Sequence, residues 1–141
     1  MKRVIILVLF AALVAGMVTD GEASQINLVG TWKGSGKSMT VTKYTLPPTF
    51  AVETFTSMTV KITKQDGFLF AGTIRVIGTG FDKTMPFTGL LGDDIHMTIV
   101  DPATGQTDAL AKGSLSLVPF SIQGHFQSIT SGETGEFKVS R

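Results

Sequence analysis

Apolar and polar residues alternate along most of the chain after position 24. Met58, Val60 and Ile62 fall on one face of a strand, with Thr59, Lys61 and Thr63 on the other. Phe68, Phe70, Ile74 and Val76 likewise oppose Thr73 and Arg75, and Ile95, Met97 and Ile99 oppose His96 and Thr98. Leu115 and Leu117 oppose Ser114 and Ser116; Phe120, Ile122 and Phe126 oppose Ser121, Gln123, His125 and Gln127; Phe137 and Val139 oppose Glu136 and Lys138. A period of two is the signature of half-buried β-strands, and no segment after position 24 carries a helical stripe.

Turn residues divide this pattern into eight strands, expected at 29–42, 50–64, 67–77, 80–91, 94–101, 106–117, 119–130 and 134–141. Asp66-Gly67 is the strongest hairpin signal and implies a type I′ turn. Short links between successive strands favour an antiparallel up-and-down order. A flat sheet would leave its apolar face wet, so the sheet must close into an eight-stranded antiparallel β-barrel or, alternatively, fold over as a β-sandwich. Closure also removes edges that invite aggregation. Gly72, Gly89, Gly113 and Gly124 fall on the inward parity, where they let strands coil and make room for Phe rings, or else hollow out a ligand cavity.

The start of the chain follows a different pattern. Lys2 and Arg3 precede an apolar run of 15 residues, Val4 to Val18, and then a polar stretch with Gly21 and Ala23 at −3 and −1 of a cut before Ser24. Residues 1–23 read as a secretory signal peptide, and residues 24–141 as one β-barrel domain. The run is short of the roughly 20 residues that span a bilayer. An uncleaved anchor is the alternative, and the membrane would then be a partner only through this segment. The expected location is secreted, periplasmic or otherwise extracytoplasmic.

Composition narrows the function. With 12 Lys+Arg against 11 Asp+Glu, the chain lacks the basic stripe of a nucleic-acid binder. With no Cys, disulfides, iron–sulfur clusters and thiolate zinc sites are excluded.

Val29-Gly30-Thr31-Trp32-Lys33-Gly34 opens the first strand, and the last ends Phe137-Lys138-Val139-Ser140-Arg141. Gly-x-Trp on the opening strand of a small exported barrel resembles the calycin superfamily: lipocalins, fatty-acid-binding proteins and avidins, with nitrobindin-type barrels opening similarly. The resemblance implies that Trp32 sits at the closed end and that Arg141 packs across it as a structural closure pair, guanidinium over indole. The chain departs from the subfamilies: it has no second Trp, whereas avidins use several more, and no Arg near its only tyrosine, Tyr44, whereas fatty-acid-binding proteins hold a carboxylate with an internal Arg-x-Tyr arrangement.

Catalytic chemistry is sparse. His96 and His125 lie on polar faces, whereas a haem or metal role needs a ring inside the barrel. Asp93-Asp94 and Asp101-Pro102 read as turn chemistry. Gly34-Ser35-Gly36-Lys37-Ser38 lacks the first glycine of a P-loop, since position 31 is Thr31. No catalytic residues, metal ligands or cofactor are therefore expected, and the chain reads as a non-enzyme. The leading expectation is a lipocalin-like barrel holding a small hydrophobic ligand, with Phe68, Phe70, Phe87, Phe120 and Phe126 as lining candidates. The alternatives are a filled barrel acting as an interaction module, for which the Tyr44–Phe50 loop is a candidate surface, and a cyclase- or isomerase-type barrel enzyme.

Overall fold

The computed structural model describes residues 26–43 and 46–141. The signal-like segment, its cleavage point, and Tyr44 and Thr45 of the expected loop lie outside the described residues. Eight strands follow in order: β1 Gly30–Lys43, β2 Thr49–Asp66, β3 Leu69–Gly78, β4 Phe81–Leu91, β5 Ile95–Val100, β6 Thr107–Leu117, β7 Phe120–Ser128 and β8 Thr134–Ser140. Each pairs antiparallel with its sequence neighbours, and β1 pairs with β8 from Lys33↔Ser140 to Met39↔Thr134, closing an up-and-down barrel. That last ladder excludes the sandwich. The complete ladder lies within residues 30–140, and the strands end within two residues of the positions that the alternation and turn signals imply.

The period-two pattern predicts most of the core. Met58, Val60, Ile62, Phe70, Ile74 and Val76 are buried, as are Ile95, Met97, Ile99, Ile122, Phe137 and Val139. Two expected inward residues are not: Phe68 is 61% exposed and Leu117 is 60% exposed. Asp66 pairs with Leu69, so Gly67-Phe68 is the turn, and only Gly67 has a positive φ (61°). This is the pattern of a type II′ turn, with glycine first, instead of the expected I′ turn at Asp66-Gly67. The one-residue slip lifts Phe68 out of the strand. Leu117 pairs with Phe120 at the last rung before the β6–β7 turn, beyond the packed interior.

Bulges account for the remaining departures. Gly34 pairs with Met58 but Gly36 with Phe55, so β2 carries an extra residue and its parity flips. Above the bulge Phe55 is buried, while Phe50 and Val52 are 57% and 62% exposed. A second bulge on β2 lies between the pairs Ile62↔Gly72 and Lys64↔Ala71, and places Gln65 opposite the buried Phe70. The Gln65 amide then accepts from the Leu28 N–H (2.7 Å) and donates to the Ile26 carbonyl (2.9 Å), which fastens the segment before β1.

One end of the barrel is filled. Trp32 is fully buried, and its indole N–H donates to the Leu28 carbonyl at 3.0 Å. The ring of Phe120 packs on the indole at 4.7 Å between centroids. The expected closure pair is thereby modified: the guanidinium of Arg141 faces the Phe120 ring, 6.0 Å from its centroid, and donates to the Asn27 carbonyl at 3.4 Å. Gly30 explains the glycine of Gly-x-Trp. Its φ is +148°, and a Cβ there would lie 3.0 Å from the Arg141 Nε.

Among the inward glycines, Gly89 lies beneath the ring of Phe70, where a Cβ would collide with it. Phe70 is buried and packed edge-on against Phe87 at 5.9 Å, so it has little room to swing aside. Gly89→Ala is expected to destabilise the barrel by about 1–3 kcal/mol in urea unfolding, and Phe70→Leu in the same chain to recover part of that loss. Additive effects of the two substitutions would contradict the collision.

Candidate functional site

The end opposite Trp32, where β1–β2, β3–β4, β5–β6 and β7–β8 turn, is hollow. A cavity of about 650 Å³ opens there. Its floor is Met58, Val60, Ile74, Val76, Met97 and Ile99. Ala109 and Ala111 form the β6 wall, and Phe55, Phe81 and Phe126 stand around it, with Phe55 within 6 Å of both other rings. The two alanines leave this space open, because a longer side chain at either inward position would fill it. Gly72, Gly89, Gly113 and Gly124 do not line it. A Cβ at Gly72, Gly113 or Gly124 would crowd the backbone of the neighbouring strand, and one at Gly89 the ring of Phe70, so these glycines serve close strand approach and ring clearance.

Of the five phenylalanines expected to line a cavity, the structure brings Phe126 to it. Phe70 and Phe87 pack on each other in the filled interior, Phe120 covers Trp32, and Phe68 is on the outside. Phe55 and Phe81 were missed. Phe81 shares its parity with Met85 and Phe87, a visible signal, whereas Phe55 is turned inward by the bulge.

Polar groups ring the mouth. Thr107 pairs with Val100 and Ala109 with Ile99, so Asp108 is the extra residue of a β6 bulge and leaves the strand's alternation. Its carboxylate accepts from the Thr130 hydroxyl at 2.7 Å and pairs with the Lys83 ammonium at 3.3 Å, while its own carbonyl accepts from the Ile129 N–H at 2.7 Å. The Ser128 hydroxyl lies 3.2 Å from that of Thr130 and accepts from the Ser131 N–H. This network ties β4, β6 and the β7–β8 turn together across the mouth. Glu53 and Glu133 also line the opening, and neither has a cationic partner among the described residues.

The Thr130 hydrogen bond holds the Asp108 carboxyl below its ordinary value; partial burial opposes it, and the Lys83 hydrogen bond and charge reinforce it. A carboxyl depressed in the folded state contributes stability above its unfolded pKa and loses it as pH falls through the folded one. The stability advantage of the native protein over Asp108→Asn is thus expected to be present at pH 7 and to shrink between about pH 5 and pH 2, read from urea midpoints across that range. An advantage independent of pH would show that the carboxylate is not held in its charged form.

The histidines are elsewhere. His96 and His125 are both exposed on the outer face. Asp94 holds Lys112 at 2.8 Å on the outside, and the Asp101 side chain accepts from the Ala103 N–H within its own turn. Among the described residues no three His, Asp or Glu side chains converge as a metal site. Comparison with known families, curated proteins and solved structures finds no match for the chain.

Proposed function

We propose that this protein is an exported, calycin-like binding barrel that carries one small, largely apolar molecule in the cavity opposite Trp32. The observation that carries the reading is the cavity itself: about 650 Å³, apolar below and polar at its rim. Small-molecule sites have this form, with volumes of roughly 300–1,000 Å³ and a few polar groups that orient the ligand. A filled barrel would instead have favoured an interaction module. The floor side chains are aliphatic or thioether and carry no ionisable group, which supports binding over catalysis.

The test is titration of the purified protein with N-phenyl-1-naphthylamine, a neutral fluorophore that brightens in apolar surroundings. The reading expects saturable enhancement at one molecule per chain. A linear, unsaturable response, or none, would overturn it.

A further inference from the structure

The charge at the mouth bears on the class of ligand. Resting on the binding reading above, we propose that the cavity selects a cationic amphiphile, with an apolar body in the barrel and a protonated amine at the rim beside Glu53 and Glu133.

The register places these two carboxylates on one side of the opening. Glu53 on β2 pairs with Ser38 on β1, which pairs with Gly135 on β8. Directly paired residues share a sheet face, and so do residues two apart on one chain. Glu53 and Ser38 therefore belong to the inward side of the β2–β1 wall; Glu133, one residue before β8, is tied to β7 by its carbonyl, which accepts from the Ser128 N–H, and both carboxylates line the cavity. Ser38 itself is buried in that wall and does not line the cavity, so the polar groups of this side that reach it are the two carboxylates.

Other charges at the rim are already engaged. Lys83 is held by Asp108, and Asp82 by a two-pronged contact with Arg75. Lys43 lies further out, on the last rung of the β1–β2 ladder. What faces an incoming head group is thus two unpaired carboxylates and hydroxyl oxygens, including those of Thr130 and Ser131. A ligand carboxylate would meet like charge, and among the described residues that line the cavity the one cation, Lys83, is already paired, whereas an ammonium would meet opposite charge and acceptors. The apolar floor lowers the local dielectric and sharpens this contrast.

The experiment displaces bound N-phenyl-1-naphthylamine at pH 7 with three twelve-carbon chains at sub-micellar concentration: dodecylamine, dodecanol and dodecanoate. Dodecylamine is expected to displace the probe at a concentration about tenfold or more below that of dodecanoate, with dodecanol between them. The ratio should collapse towards one in E53Q/E133Q. It should persist in E136Q, which removes one carboxylate on the outer face, where Glu136 pairs with Lys37, and should fall part of the way in each of E53Q and E133Q, which change the charge by the same amount. Dodecanoate competing as well as the amine, or an amine preference that survives E53Q/E133Q, would overturn the inference while leaving the binding reading intact. Failure of the probe to bind at all would overturn both.

Discussion

Trp32→Ala is expected to lower the free energy of unfolding by about 3–5 kcal/mol, the range for deleting a large aromatic from a packed core. Trp32 is fully buried, carries the Phe120 ring on one side and donates to the Leu28 carbonyl. Removing it leaves a void at the filled end and releases the segment that Gln65 and Arg141 also hold. Trp32→Phe should recover most of the packing and retain a deficit of about 1 kcal/mol from the lost hydrogen bond. Urea unfolding followed by far-ultraviolet circular dichroism measures both. A loss below about 1 kcal/mol for the alanine variant would mean that Trp32 does not close the barrel.

Ala111→Phe is expected to have the opposite profile, with binding abolished and the fold kept. Ala111 pairs with Met97 on one side and Phe126 on the other, and its methyl faces the cavity. A phenyl ring there occupies existing space, so its cost in stability should stay within about 1 kcal/mol, or become a gain. The same ring excludes a ligand and should weaken N-phenyl-1-naphthylamine binding by more than about tenfold. Leu110→Phe, at the neighbouring outward position, should leave binding unchanged; Leu110 is 52% exposed. Undiminished binding in a folded Ala111→Phe protein would place the probe elsewhere.

The architecture was legible because a barrel's inside and outside are written in the two-residue period. Ile95, Met97 and Ile99 illustrate this, all buried between the more exposed His96, Thr98 and Val100. The site was less legible, because bulges decide what reaches the mouth and a bulge is set by the register of two neighbouring strands at once. In β2 the signal was a broken rhythm: Phe55 and Met58 are both buried but three residues apart. That break turned Phe50 and Val52 outward and brought Glu53 to the cavity. Asp108 carried no such mark, since Thr107-Asp108-Ala109 reads equally well as ordinary strand. The hollow itself came from Ala109 and Ala111, residues too small to draw attention beside ten phenylalanines.

Ligand binding in this protein depends on the apolar cavity at the end away from Trp32. Backbone amide chemical-shift mapping with N-phenyl-1-naphthylamine tests it most directly. The largest shifts are expected on Val60, Ile74, Met97, Ala111 and Phe126, with Leu28, Trp32 and Phe120 almost unmoved. Shifts centred on the Trp32 end, or on the exposed Phe50–Val52 face of the β1–β2 hairpin, would contradict it.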